Sequence, residues 1–162
     1  MNLLHDSIAH LLSELVEGPP KGPAYMLNPG DPGLLRSLES LTAAAASQAP
    51  PNGAAPIAAH VDHVCYGIDL LNRWYAGEPD PWSDADWTAS WRRRQVSDEE
   101  WAALRNRLRN SVAQWRAALQ QPRDLSATEL DTVIGAVAHL AYHFGSIRQI
   151  DRALRGPAAS RS

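Results

Sequence analysis

The chain has 162 residues, 44% of them hydrophobic, which is enough for a single domain to bury a core without disulfide or metal staples. Its net charge is −3, and its one cysteine, Cys65, excludes an internal disulfide framework and fits a reducing, cytoplasmic setting. No run approaches the roughly 18 apolar residues of a membrane span, and residues 1–17 break their apolar pattern with His5, Asp6, His10, Glu14 and Glu17, unlike a signal peptide.

In chain order, Leu3, Leu4, Ile8, Leu11, Leu12 and Leu15 recur at helical spacing and predict an amphipathic helix over 3–16, ended by Gly18-Pro19-Pro20. After a loop through Asn28-Pro29-Gly30, Asp31-Pro32 reads as an N-cap with proline at N1. It opens one shorter helix through Leu34, Leu35, Leu38 and Leu41. A second loop, 47–55, leads to a helix that starts at Pro56 and closes at Gly77.

Residues 78–96 hold two prolines and Trp82, Trp87 and Trp91, and predict an ordered excursion pinned by its rings. These rings either wall a pocket or anchor the loop. The run Arg92-Arg93-Arg94 and the arginines of 105–116 read as solvated surface, not as a nucleic-acid stripe. Ser97…Glu100 is a capping box that opens a helix to about Gln120, with core positions Trp101, Leu104, Leu108, Val112, Trp115 and Leu119, stopped by Pro122. Ser126…Glu129 is a second capping box, and its helix is expected to run to Gly156-Pro157. No period-two β-branched run competes with these helices. The expectation is an all-α, up-down four-helix bundle with an additional short helix. It forms one domain over 1–155, followed by a flexible tail, 156–162.

The candidate chemistry lies in the histidines. His139 and His143 are four apart on a nearly apolar helix, so their rings stack on one face about one turn apart. Buried imidazoles need polar partners. A carbonyl or water commonly serves one ring, and a shared metal ion about 2.0–2.1 Å from each nitrogen serves two. A third ligand must come from another helix, and either His60 or His63, which share a face, is available. Leu140 stands where a zinc protease would carry glutamate after the first histidine, which excludes that motif. His5 and His10 read as surface or core-edge residues, Trp74, Trp101 and Trp115 as core, and Cys65 as an inert small hydrophobe. No general base stands out. Asp62 points about 100° round the helix from His63, and Asp69 and Asp131 have no evident relation to the histidines.

Ala138-His139-Leu140-Ala141-Tyr142-His143-Phe144-Gly145 resembles the His-x-x-x-His-x-Gly signature on the last helix of the DinB-like superfamily, also called the DinB/YfiT-like metalloenzymes. The likeness extends through Ser146-Ile147-Arg148-Gln149-Ile150, departing at Ser146 where the family often has glutamine. Members are four-helix bundles, often dimers, with three histidines on nickel, zinc or a similar ion. The resemblance implies His63, followed by Val64, as the third ligand beside His139 and His143, with His60 as an alternative or a supporting residue one turn earlier. It also implies a homodimer, a divalent zinc or nickel cofactor, and a metal-dependent transferase or hydrolase. Among the activities in the family, thiol S-transfer on a small-molecule thiol is the leading expectation. The alternative is a non-catalytic, stress-related metal-binding dimer. Neither a nucleic-acid nor a membrane partner is expected.

Overall fold

A computed structural model describes residues 3–121 and 123–156. Within them the chain is all-α. It has six helices, α1 (Leu3–Glu17), α2 (Leu34–Glu39), α3 (Ala43–Ser47), α4 (Ile57–Tyr75), α5 (Asp98–Leu119) and α6 (Ala127–Ile150), and two short 3-10 turns at Ala89–Arg92 and Arg152–Leu154. The helical-bundle fold class expected from the sequence holds. The chain divides into two compact units. Leu41–Gln121 forms one, and the described residues on either side of it form the other.

In the second of these, α1 packs on α6 and on α2. α1 buries Ile8, Leu12 and Leu15 as its spacing predicts, and Val16 besides, while Leu4 and Leu11 are half-buried and Leu3 stays exposed. Glu14, on the inner side of α1, collects the backbone N–H groups of Tyr25, Met26 and Leu27 at 2.6–3.1 Å, which fastens the proline-rich loop to the helix. Gly33 begins α2 where a Cβ would stand 2.3 Å from the backbone of Glu17 and Gly18, so only glycine fits.

Asp31 does not cap α2 as the sequence suggested; the N-cap is Gly33. The Asp31 carboxylate is buried, accepts from the Asn28 N–H at 3.1 Å and pairs with Arg148 at 2.9 Å. α6 also ends earlier than expected. Asp151 takes an extended conformation after Ile150, and its side chain accepts from the Ala153 N–H to start a 3-10 turn. Pro122 and residues 157–162, read above as a helix stop and as tail, lie outside the described residues.

The single short helix expected after Asp31 is interrupted before the unit Leu41–Gln121 begins. α2 stops at Glu39, and Thr42 accepts from the Ala45 N–H to cap a separate α3. That local hydrogen bond outcompetes continuation of the leucine spacing. α4 starts at an N-cap Pro56 and closes with Gly77 at φ +103°, whose N–H donates to Trp74 O while Glu78 N–H donates to Arg73 O. The capping box Ser97…Glu100 is formed, as is Ser126…Glu129 at the head of α6. All six predicted core positions of α5 are buried, and Trp101 Nε1–H donates to Leu41 O at 2.9 Å.

α4 and α5 are joined by a polar seam at helical spacing along α4. Asp62 pairs with Arg107, the Cys65 thiol points at Leu104 O, Asp69 holds Arg107 and the Ser111 hydroxyl, and Asn72 Nδ2–H donates to Ser111 O at 2.9 Å. Contacts from four α4 residues on one face fix the rotation of α4 about its axis. A residue one step past a seam position then points about 100° away, and His63 is such a residue.

Candidate metal centre

His139 and His143 meet on α6 as their four-residue spacing requires. Their Nε2 atoms are 2.9 Å apart, with ring centroids 4.5 Å apart and planes at 87°. His143 is 4% exposed and carries the Tyr142 ring edge-on at 5.1 Å; His139 is half-buried. Burial lowers the pKa of His139, because desolvation disfavours the imidazolium. The ring is therefore neutral at physiological pH, the form that ligates metal. Two ring nitrogens directed at each other at this separation suit one ion at about 2.0–2.1 Å from each. At 2.9 Å one ring can also donate to the other, the tautomers setting which.

On α4, His63 is 7% exposed and His60 half-buried. Both touch Trp91 in the 3-10 turn Ala89–Arg92. His63 stacks on it with centroids 4.4 Å apart and planes at 29°, and His60 meets it edge-on at 5.2 Å. Trp87 adds a tilted contact to His63 at 5.7 Å. Burial lowers the pKa of His60, which keeps this ring neutral as well. The tryptophan excursion is thus ordered against the α4 histidines, and Trp82 packs on Trp74 at 6.2 Å.

The remaining candidates fall elsewhere. His5 is buried on α1, not at the surface or core edge, while His10 is exposed and edge-on to Tyr25 at 5.9 Å. Asp62 turns from His63 to Arg93 and Arg107, and Asp69 to Arg107 and Ser111, so both carboxylates are held in ion pairs. Asp131 is exposed. Cys65 is buried, and desolvation pushes its thiol up to about 12, against a smaller opposing effect of Arg107. A thiol so raised is an inert core residue. Sequence reasoning missed the Arg93–Asp62 pair. Its only signal was an arginine run that composition alone assigned to solvent.

An all-helical chain that carries paired imidazoles on two long helices defines a class of histidine-bearing bundle proteins. Residues 33–146 match the DinB superfamily, and the chain belongs to that family. The matched stretch includes His63, His139 and His143, three histidines with the donor chemistry to hold one metal ion. No curated protein and no solved structure matches the chain. Among the described residues no helix is long and apolar enough to cross a membrane.

Proposed function

We propose that the protein holds one divalent ion, zinc or nickel, on His63, His139 and His143 and serves as a cytoplasmic, metal-dependent enzyme of the thiol S-transferase type. The observation that carries this reading is the pair of inward Nε2 atoms of His139 and His143, 2.9 Å apart on a mostly buried helix face. Imidazole nitrogens suit zinc and nickel. Three protein ligands leave a coordination position open, and an ion so held lowers the pKa of a bound thiol or water towards neutrality.

The chain's own residues do the rest. His139, its pKa lowered by burial, stands beside His143 on α6, and His63 presents its ring from the face of α4 that bears Trp91. His60, one turn away against the same tryptophan, supports that face or takes the place of His63. Asp62 and Asp69 are held by arginines, so thiol activation falls to the ion and not to a carboxylate base.

Elemental analysis of purified protein tests the ligand set. About one divalent ion per chain is expected, with loss in His139→Ala and in His143→Ala; stoichiometric retention in both sinks the assignment. Loss in His60→Ala with retention in His63→Ala transfers the third position to His60. A screen of thiol consumption against electrophilic acceptors then tests the reaction, and a loaded protein inactive with every thiol removes the transferase reading.

A further inference from the structure

Metal-bound histidines are ordinarily oriented by a hydrogen bond to the nitrogen that does not ligate, and that bond sets ring position and affinity together. On α4 another device is present. Trp91 lies face to face with His63 at 4.4 Å and 29°. Stacking on the ring face restrains rotation about the Cβ–Cγ bond and does not occupy the in-plane direction along which a ring nitrogen ligates.

Trp91 is itself fixed. Two residues beyond it, Arg93 Nε–H donates to Asp62 at 2.9 Å, and Asp62 is the immediate neighbour of His63. The same carboxylate takes Arg107 from α5 at 3.1 Å, so it is anchored from both sides and only 13% exposed. Before Trp91, Asp86 accepts from Thr88 and pairs with Arg92 at 2.9 Å, while the Asp86 N–H donates to the Tyr66 hydroxyl at 3.0 Å. Asp62 and Tyr66 flank His63 on α4, so the turn is attached to the helix on both sides of the histidine. A loop needed only for connection does not require attachment at both of these points.

We propose that Trp91, held by the Asp62–Arg93 pair, is a positioning residue for His63, setting the ring so that its nitrogen is ready for the ion. This rests on the metal reading above. Trp91 acts on affinity through preorganisation and does not touch the ion.

Nickel(II) affinity, measured by competition with a chromogenic chelator, tests it together with intrinsic fluorescence. Trp91→Leu is expected to bind nickel about tenfold more weakly, the lower end of what loss of a ligand-orienting partner costs. Trp91→Phe keeps a flat ring on His63 and is expected to stay within about threefold of wild type. Asp62→Asn, which weakens the Arg93 attachment, is expected to fall between the two. Nickel loading is expected to quench tryptophan fluorescence in the wild type, and the quench is expected to shrink in Trp91→Phe at matched occupancy, since the indole stacked on His63 is gone.

A merely structural tryptophan would lower the melting temperature of the metal-free Trp91→Leu protein without changing its affinity for nickel. Wild-type affinity in folded Trp91→Leu therefore overturns the proposal even if its melting point drops. Should Trp91→Leu not fold, Asp62→Asn and Trp91→Phe decide: wild-type affinity in the first, or an unchanged quench in the second, overturns it. Metal bound in the wild type and lost in His63→Ala but unaffected by Trp91 refutes the positioning alone. A wild type that binds no nickel refutes the metal reading with it.

Discussion

Glu14 illustrates how one residue fixes a segment that has no secondary structure of its own. Burial pushes its carboxyl up, but the N–H groups of Tyr25, Met26 and Leu27, with a contribution from His10, outweigh that and hold it below the usual carboxylate range. A carboxylate depressed in the folded state contributes stability that is present above its unfolded pKa, near 4.3, and is lost as pH falls through the lower folded value. Glu14→Gln can keep one carbonyl oxygen on the three N–H groups but loses the charge and the second bond from Tyr25, and is expected to cost about 1 kcal/mol at pH 7. That difference should narrow as wild-type Glu14 protonates at low pH. Urea denaturation of both proteins at pH 7 and pH 3 checks it, and a gap that widens on acidification contradicts the reading. Nothing local in the sequence marks this role, because the acceptor and its donors lie 11–13 residues apart in an irregular loop. His139 and His143 were legible because four residues on a helix is a fixed distance. The choice between His60 and His63 was not legible from spacing, since both lie on one face and both touch Trp91.

Among the elements, helix starts were most readable where the cap is contained within four residues. Ser97…Glu100 and Ser126…Glu129 form as read. Thr42 also caps locally, yet the leucines on either side of Ser40 masked the break between α2 and α3. The apolar character of α6 was misleading in another way, because it predicted burial all round. Val133, Val137, Leu140, Phe144 and Ile147 are buried, but Ile134 is 49% and Tyr142 70% exposed. Gly135, Ala138, Tyr142 and Gly145 share that exposed face at helical spacing, with small residues that allow another backbone to come close. We propose this face for the homodimer that the family resemblance implies. Light scattering at micromolar concentration is expected to give about twice the 17.7 kDa chain mass, falling to the monomer in Ile134→Glu. A wild type at the single-chain mass removes the dimer.

At the scale of the whole molecule, the proposed ligands lie far apart in the sequence, His63 on α4 and His139 and His143 on α6. An ion held by all three needs both helices formed. It would bind only the folded chain, and so stabilise it by about 2.7 kcal/mol at a free concentration of 100 times Kd. Chelation at pH 7.5 is therefore expected to lower the melting temperature. Protons act as chelators do, since only neutral imidazoles coordinate. Burial lowers the pKa of His139, so that ring resists protonation longer than a free histidine near 6.5. The ion should be retained at pH 7–8 and released below about pH 6, and the melting curves with and without chelator should converge there. The helices themselves do not need the ion. Trp101, Leu108 and Trp115 are buried on α5, and both capping boxes are closed by the chain's own serine and glutamate side chains. Circular dichroism at 20 °C is thus expected to show nearly unchanged helix after chelation. Loss of helix would make the ion a nucleus of folding, and the open coordination position on which thiol transfer depends would give way to a closed structural site.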